Sequence, residues 1–179
     1  MIYLIRHGET DWNKAGRLQG HTDIELNEIG LKQAKLASQD IKKYNIKHIY
    51  TSNLLRAVKT AQIVNNDLGL DIKLDVRLKE TKFGDFEGRL ASEITPQQWQ
   101  DFNENPKNFK AENWHDLYIR VKSFYEEVKE QAGTLIVTHA GTARMLLYVA
   151  DNDEFNQAEF SRLFKENKKI ANCEVIKIK

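Results

Sequence analysis

The chain has 179 residues, 41% hydrophobic and 30% charged, enough for one sizeable core and a single domain over 1–179. Its 27 basic residues against 26 acidic ones leave a net charge of +1, so no strong overall field can hold nucleic acid or an anionic membrane, and anion recognition must be local. Charge enters at Arg6 after a handful of apolar residues, and no stretch approaches transmembrane length, so a cytoplasmic protein without signal peptide or membrane partner is expected.

In chain order, the apolar run Ile2 to Ile5 predicts a short strand, and Arg6-His7-Gly8-Glu9-Thr10 follows at its carboxyl end. Asn27 suits the cap of a helix in which Ala34, Ala37, Ile41 and Tyr44 recur at helical spacing. Ile49-Tyr50-Thr51 predicts a second strand. Ser52 after it suits the cap of a helix running through Leu54, Val58, Ala61 and Leu68 to Gly69. Ile72 to Leu74 is a weaker strand. The stretch 89–113 breaks the rhythm with Pro96, Pro106, Trp99, Phe102 and Phe109; it reads as a short helical excursion, serving as a packed connection or as a lid and specificity segment. Trp114, Leu117, Val121, Phe124 and Val128 then mark a helix with one core-facing stripe, too short for a coiled coil. Thr134 to Thr138 is the strongest strand, β-branched and without polar alternation, as in a strand buried on both faces. Val175 to Ile178 is a last, weaker candidate. The single cysteine, Cys173, fits a reducing compartment and lies in an apolar run that suggests packing.

Strands alternating with helices predict an α/β fold: a three-layer α/β/α sandwich around a mostly parallel sheet, with room for one antiparallel edge strand. In such a sheet the carboxyl ends share one edge, so Arg6, His7, Arg56 and His139 can converge although they are far apart in sequence. Two arginines, two histidines and nearby helix N-termini suit a tetrahedral dianion, because guanidinium forks match phosphate oxygens and helix N-termini present free N–H groups. A lone histidine after a strand is more often a hydrogen-bonded loop residue, and His21, His48 and His115 are assigned to that class. No metal-ligand spacing, Walker loop or dinucleotide glycine motif is present, so no metal or other cofactor is expected.

Four motifs stand in order: Arg6-His7-Gly8-Glu9-Thr10 with Asn13; Ser52-Asn53-Leu54-Leu55-Arg56-Ala57; Leu78-Lys79-Glu80 leading to Gly84-Asp85-Phe86-Glu87-Gly88; and Thr138-His139-Ala140-Gly141. From Met1 to about Arg144 the chain thereby resembles the histidine phosphatase superfamily, in its phosphoglycerate mutase-like branch. The resemblance implies that His7 is the nucleophile that becomes phosphorylated, that Arg6, Arg56 and His139 hold the phosphoryl oxygens, and that Glu80 donates a proton to the leaving group. It further implies a phosphate contact from Asn13 and pocket positions at Gln19, Gly20 and Gly141. Glu87 is a rival acid, or a residue that holds its loop together.

That assignment agrees with the chemistry. Charge in phosphoryl transfer spreads over three equatorial oxygens, and a well-aimed donor there contributes roughly 3–4 kcal/mol. Mutases of the resembled family usually carry a longer insertion between the acid loop and the second histidine motif, so the resemblance and the short interval from Glu80 to His139 together imply hydrolysis of a small phosphorylated metabolite over mutase-type phosphotransfer. In size and motif spacing the chain resembles the small bacterial phosphatases, including α-ribazole and broad-specificity sugar-phosphate phosphatases. A phosphoglycerate mutase and a catalytically silent module that binds a phosphorylated ligand stand as alternatives. Where the family often shows Gly-Glu-Ser, this chain reads Ala111-Glu112-Asn113, with Asp116 and Arg120-Val121 following as the pattern expects. Lys82, Lys107 and Lys110 could steer a second anionic group, and nothing in the chain specifies an oligomeric state.

Overall fold

Alternation along the first strand sets the architecture. In the computed structural model, which describes residues 1–166 and 170–178, strand β1 (Ile2–Arg6) is buried along its whole length. Ile2 and Leu4 belong to one apolar cluster and Tyr3 and Ile5 to another, because successive side chains of a strand point to opposite faces. Helix α1 (Asp11–Ala15) follows the first motif and is capped by Thr10, whose hydroxyl accepts from the Asn13 N–H. Helix α2 (Glu28–Ile41) starts at Asn27, as expected, with the Asn27 carboxamide oxygen accepting from the Gly30 N–H at 2.9 Å. Tyr44 lies past its end and packs on Tyr3 with ring centroids 4.3 Å apart.

Strand β2 (His48–Thr51) leads to helix α3 (Leu55–Asn65). The cap expected from Ser52 is corrected here. Leu54 occupies the N-cap position, Ser52 Oγ accepts only from the Leu54 N–H, and the Leu55 N–H is taken by the distant Asp23 carboxylate at 2.7 Å. A carboxylate brought in by the fold thus replaces the local hydroxyl. The helix also stops at Asn65, and Leu68 and Gly69 form the turn beyond it.

Strand β3 (Ile72–Leu74) is followed by two short 3-10 turns, Val76–Leu78 and Gly84–Phe86. The stretch 89–113 contains helix α4 (Pro96–Glu104), with a Thr95–Gln98 capping box, and the 3-10 turn Pro106–Phe109. Phe86, Ile94 and Phe102 form a separate small core, joined by Leu18, Phe83, Trp99, Phe109 and Ala111. Helix α5 (Trp114–Val128), strand β4 (Thr134–Thr138), helix α6 (Ala140–Asp151), helix α7 (Gln157–Glu166) and strand β5 (Val175–Ile178) complete the chain.

The sheet order is β3-β2-β4-β1-β5, parallel throughout except for β5, which pairs antiparallel with β1 at one edge. Ala37, Ile41, Ala57, Ala61 and Val64 of α2 and α3 cover one face; Leu117, Val121, Phe124, Met145 and Leu146 of α5 and α6 cover the other. This is the expected three-layer α/β/α sandwich with an antiparallel edge. Its consequence for the site is geometric: β1 and β4 are adjacent and parallel, with Arg6 opposite Thr138, so His7 and His139 leave the sheet side by side. Among the described residues no helix is long and apolar enough to cross a membrane.

Candidate active site

At the carboxyl edge of β1 and β4 a cavity of about 170 Å³ is lined by Arg6, His7, Asn13, Gln19, Gly20, Arg56, Glu80 and Gly141, all of them singled out in the sequence. It is smaller than the roughly 300–1,000 Å³ of ordinary ligand clefts, so it suits a phosphoryl-sized group with its leaving group projecting outward. His139 is not part of the lining. It packs behind His7, ring centroids 5.1 Å apart, and is wholly buried.

His7 is locked by its own backbone. Its Nδ1 lies 2.7 Å from the Gly8 carbonyl oxygen, and since a carbonyl can only accept, Nδ1 carries the hydrogen and Nε2 keeps the lone pair. Burial, and after it the charges of Arg56 and Arg6, hold the His7 pKa well below its ordinary value, so the ring is neutral. His139 is held neutral by burial and by the same arginines, with His7 also contributing. Neither of its ring nitrogens meets a hydrogen-bond partner among the described residues.

Arg6 and Arg56 are each anchored through terminal nitrogens and left unsatisfied at Nε. Arg6 donates from Nη1 to the Ile170 carbonyl at 2.7 Å, and Arg56 donates from its two terminal nitrogens to the carbonyls of Thr22 and Gly20 at 2.9 and 2.8 Å. In both, the buried Nε finds no partner among the described residues. Burial pushes the Arg56 pKa down to about 10, which leaves it charged at neutral pH, and lowers that of Arg6. Buried, charged and under-bonded guanidinium groups around a small cavity are the donor set that an oxyanion would complete.

Glu80 stands at the N-terminus of α6. Its Oε1 accepts from the backbone N–H groups of Thr81, Gly141 and Thr142 at 2.9, 3.0 and 3.3 Å, while among the described residues Oε2 has only a longer contact to the Gly141 N–H. Oε2 is therefore the oxygen open to other chemistry. A Cβ at position 141 would lie 2.7 Å from Glu80 Oε1 and 2.8 Å from Thr81 Oγ1, so any larger residue there would displace the Glu80 carboxylate from its N–H groups. Glu87, the rival acid, takes the backbone N–H groups of His21, Thr22, Phe83 and Gly84 and the Thr22 hydroxyl. It holds two loops together and does not line the cavity. Asn13 does line it, although its Oδ1 is engaged by Thr10.

Sequence reasoning missed Arg17, Leu18, Thr81, Phe83, Trp114, Ala140 and Arg144 of the lining. Arg144 was the most legible of these, one turn beyond Gly141 on a helix that leaves the site. None of residues 89–113 borders this cavity, whose lining includes Phe83 and Trp114 instead. Of the three lysines considered for steering, Lys110 pairs with Asp85 at 3.1 Å and none of them lines the cavity. Cys173 packs against the sheet, with burial pushing its thiol pKa up to about 12. Among the described residues no cluster of three or more histidine, cysteine or carboxylate side chains could hold a metal ion.

Comparison with known proteins agrees with this fold. The family model for the histidine phosphatase superfamily (branch 1) matches residues 2–177. Probable phosphoglycerate mutase GpmB of Serratia proteamaculans (strain 568) is 37% identical over 147 residues, covering 77% of this chain and 68% of that protein. Phosphoglycerate mutase-like protein 4 of Arabidopsis thaliana is 34% identical over 157 residues, 81% of this chain and 68% of that protein. Among solved structures, a mycobacterial glucosyl-3-phosphoglycerate phosphatase in complex with VO3 superimposes with a TM-score of 0.82 at 26% identity, covering 97% of this chain and 90% of that one. A phosphoserine phosphatase variant from Entamoeba histolytica in complex with phosphoserine gives 0.80 at 26% identity, with 97% and 87% covered.

Proposed function

The chain belongs to the histidine phosphatase superfamily (branch 1), and on that premise we propose that it is a phosphomonoesterase acting on a small phosphorylated metabolite through a phosphohistidine on His7. The observation that carries this reading is the Nδ1 bond to the Gly8 carbonyl, which leaves a neutral His7 with its Nε2 lone pair beside two buried arginines. In the first step the Nε2–P bond forms, the bond from phosphorus to the ester oxygen breaks, and Glu80 Oε2 gives its proton to the departing oxygen. In the second step the Glu80 carboxylate takes a proton from water as that water's oxygen attacks phosphorus. The N–P bond breaks, and both His7 and Glu80 return to their starting forms.

Arg6 and Arg56 stabilise the equatorial oxygens, Asn13, Gln19, Gly20 and Gly141 shape the phosphoryl subsite, and His139, expected from the resemblance to hold the phosphoryl oxygens, instead backs the His7 ring from outside the cavity. The reaction as drawn uses no metal or other cofactor. The setting is cytoplasmic, the partner a small phosphorylated substrate, without nucleic acid or membrane. Residues 89–113 serve as a specificity segment by supporting Phe83, which packs on Phe102, rather than by touching the phosphoryl group.

The test is to acid-quench enzyme turning over a ³²P-labelled phosphomonoester. An acid-labile, base-stable phosphoryl group on wild type, absent from His7→Ala, is expected. An enzyme that turns over with no such label would remove the mechanism. The names of the curated relatives support a second reading, mutase-type phosphotransfer. Product analysis separates the two, since a phosphatase releases inorganic phosphate and a mutase moves it between hydroxyls. Ligand binding with background release across a broad ester panel would instead indicate a silent module.

A further inference from the structure

Residues 77–80 run past the sheet edge without a strand partner, yet each of their four carbonyls accepts a hydrogen bond from a side chain. Arg120 Nη1 donates to the Arg77 and Lys79 carbonyls, and Nη2 donates to that of Glu80 at 3.1 Å. Thr138 Oγ1 serves Leu78, Thr142 Oγ1 serves Lys79, and His21 Nε2 serves Glu80 at 2.8 Å. A single guanidinium thus holds three of the four.

That guanidinium is itself fixed. Arg120 Nε and Nη2 lie 2.6 and 2.8 Å from the two oxygens of Glu112, a two-point pair in which both side chains are mostly buried. The planar fork makes such a pair directional, and a lysine could not reproduce it. Glu112 is tied back in turn, its N–H donating to the Lys82 carbonyl and its Oε2 accepting from the Lys82 N–H. Arg120 stands on α5, whose Leu117, Val121 and Phe124 are fully buried, so its origin is rigid. The backbone of Glu80 is therefore referenced to α5, and its carboxylate to the N-terminus of α6.

The geometry points to Arg120, latched by Glu112, as the positioning residue for the general acid Glu80, and it gives a function to the glutamate of the Ala111-Glu112-Asn113 element. This rests on the reading of Glu80 as the acid. Proton donation needs an oxygen held to within a fraction of an ångström of the departing one, and a displacement of about 1 Å can cost about 10²-fold in rate.

The test compares kcat/KM for phenyl phosphate, whose leaving oxygen needs a proton, with that for p-nitrophenyl phosphate, of similar shape, whose leaving anion is stable without one. Arg120→Lys and Glu112→Gln, which keep side-chain volume, are measured beside Arg120→Ala and Glu80→Gln. We expect Arg120→Lys and Glu112→Gln to lose about 10- to 10²-fold on phenyl phosphate and less than about twofold on the nitrophenyl ester, parallel to a larger selective loss in Glu80→Gln. Equal losses on both esters, or none on either, in Arg120→Lys and Glu112→Gln overturn the positioning role while a selective Glu80→Gln leaves the acid intact. A Glu80→Gln that loses both esters equally removes the acid itself, and the positioning role with it. Misfolding of Arg120→Ala leaves the two conservative variants to decide.

Discussion

The rings of His7 and His139 sit with centroids 5.1 Å apart, both buried, and both kept neutral by burial and by the neighbouring arginines. Two uncharged imidazoles beside two charged guanidinium groups give a site that is positive where an anion binds and nucleophilic where it reacts.

The first prediction concerns rate. The nucleophile must be unprotonated, so its lowered pKa should carry kcat/KM unchanged to well below pH ~6.5, the ordinary histidine value. Arg56 is the largest charge acting against protonation of His7, and Arg56→Gln should move the acidic limb of the profile to higher pH on top of its loss in rate. An acidic limb that stays in place in the variant would remove Arg56 as the source of the shift.

Stability should follow the same two groups. Both folded-state pKa values lie below the unfolded value of about 6.5, so as pH falls past that value the unfolded chain takes up protons that the native chain refuses. The stabilising contribution is complete above about pH 6.5 and is lost as pH drops from there toward the folded-state values. Urea midpoints should therefore fall between about pH 7.5 and 5.5, and less steeply in His139→Asn. A slope identical in wild type and variant would contradict this.

Anion binding should complete the unsatisfied donors of Arg6 and Arg56. Inorganic phosphate at about 100 times its Kd should stabilise the protein by roughly 2.7 kcal/mol, visible as a rise in Tm. Arg56→Lys keeps the charge but loses the fork, and should lower kcat/KM by about 10²–10³-fold while shrinking the phosphate-induced rise. A full rise in that variant would mean that phosphate binds elsewhere.

Glu87 and Gly20 should act as one structural unit. Glu87→Ala strands five donors, most of them backbone N–H groups, and should cost about 2–4 kcal/mol by chemical denaturation. Gly20→Ala should be comparably damaging, since φ is +51° and the added Cβ would fall 2.1 Å from Glu87 Oε1. It should also lower activity, because the Gly20 carbonyl anchors Arg56. Denaturation midpoints within error of wild type for both variants would refute the arrangement.

Much of this was legible along the chain. Strand ends were marked by apolar runs giving way to charge at Arg6 and to polarity at Thr138-His139, and parallel topology is enough to bring such ends together. The α5 stripe and the Asn27 cap were equally local, and both appear where their spacing placed them. Ser52 does not cap the helix, since its hydroxyl serves the Leu54 N–H while Asp23, more than thirty residues away, takes the Leu55 N–H. His21 is the hydrogen-bonded loop histidine it read as, and only the fold shows that its partner is the Glu80 carbonyl.

By itself, then, the sequence determined which residue types end each strand, and with them the family and the chemistry of an anion site, because hydrophobic periodicity and strand-end position are properties of neighbouring residues. Tertiary structure alone decided which nitrogen of His7 keeps its lone pair, which oxygen of Glu80 is open, that Glu87 staples loops, and that Arg120 and Glu112 stand behind the acid. Apart from the bond between His7 Nδ1 and the neighbouring Gly8 carbonyl, those rest on hydrogen bonds between groups apart in sequence, set by directional geometry of a few tenths of an ångström, which no local pattern encodes.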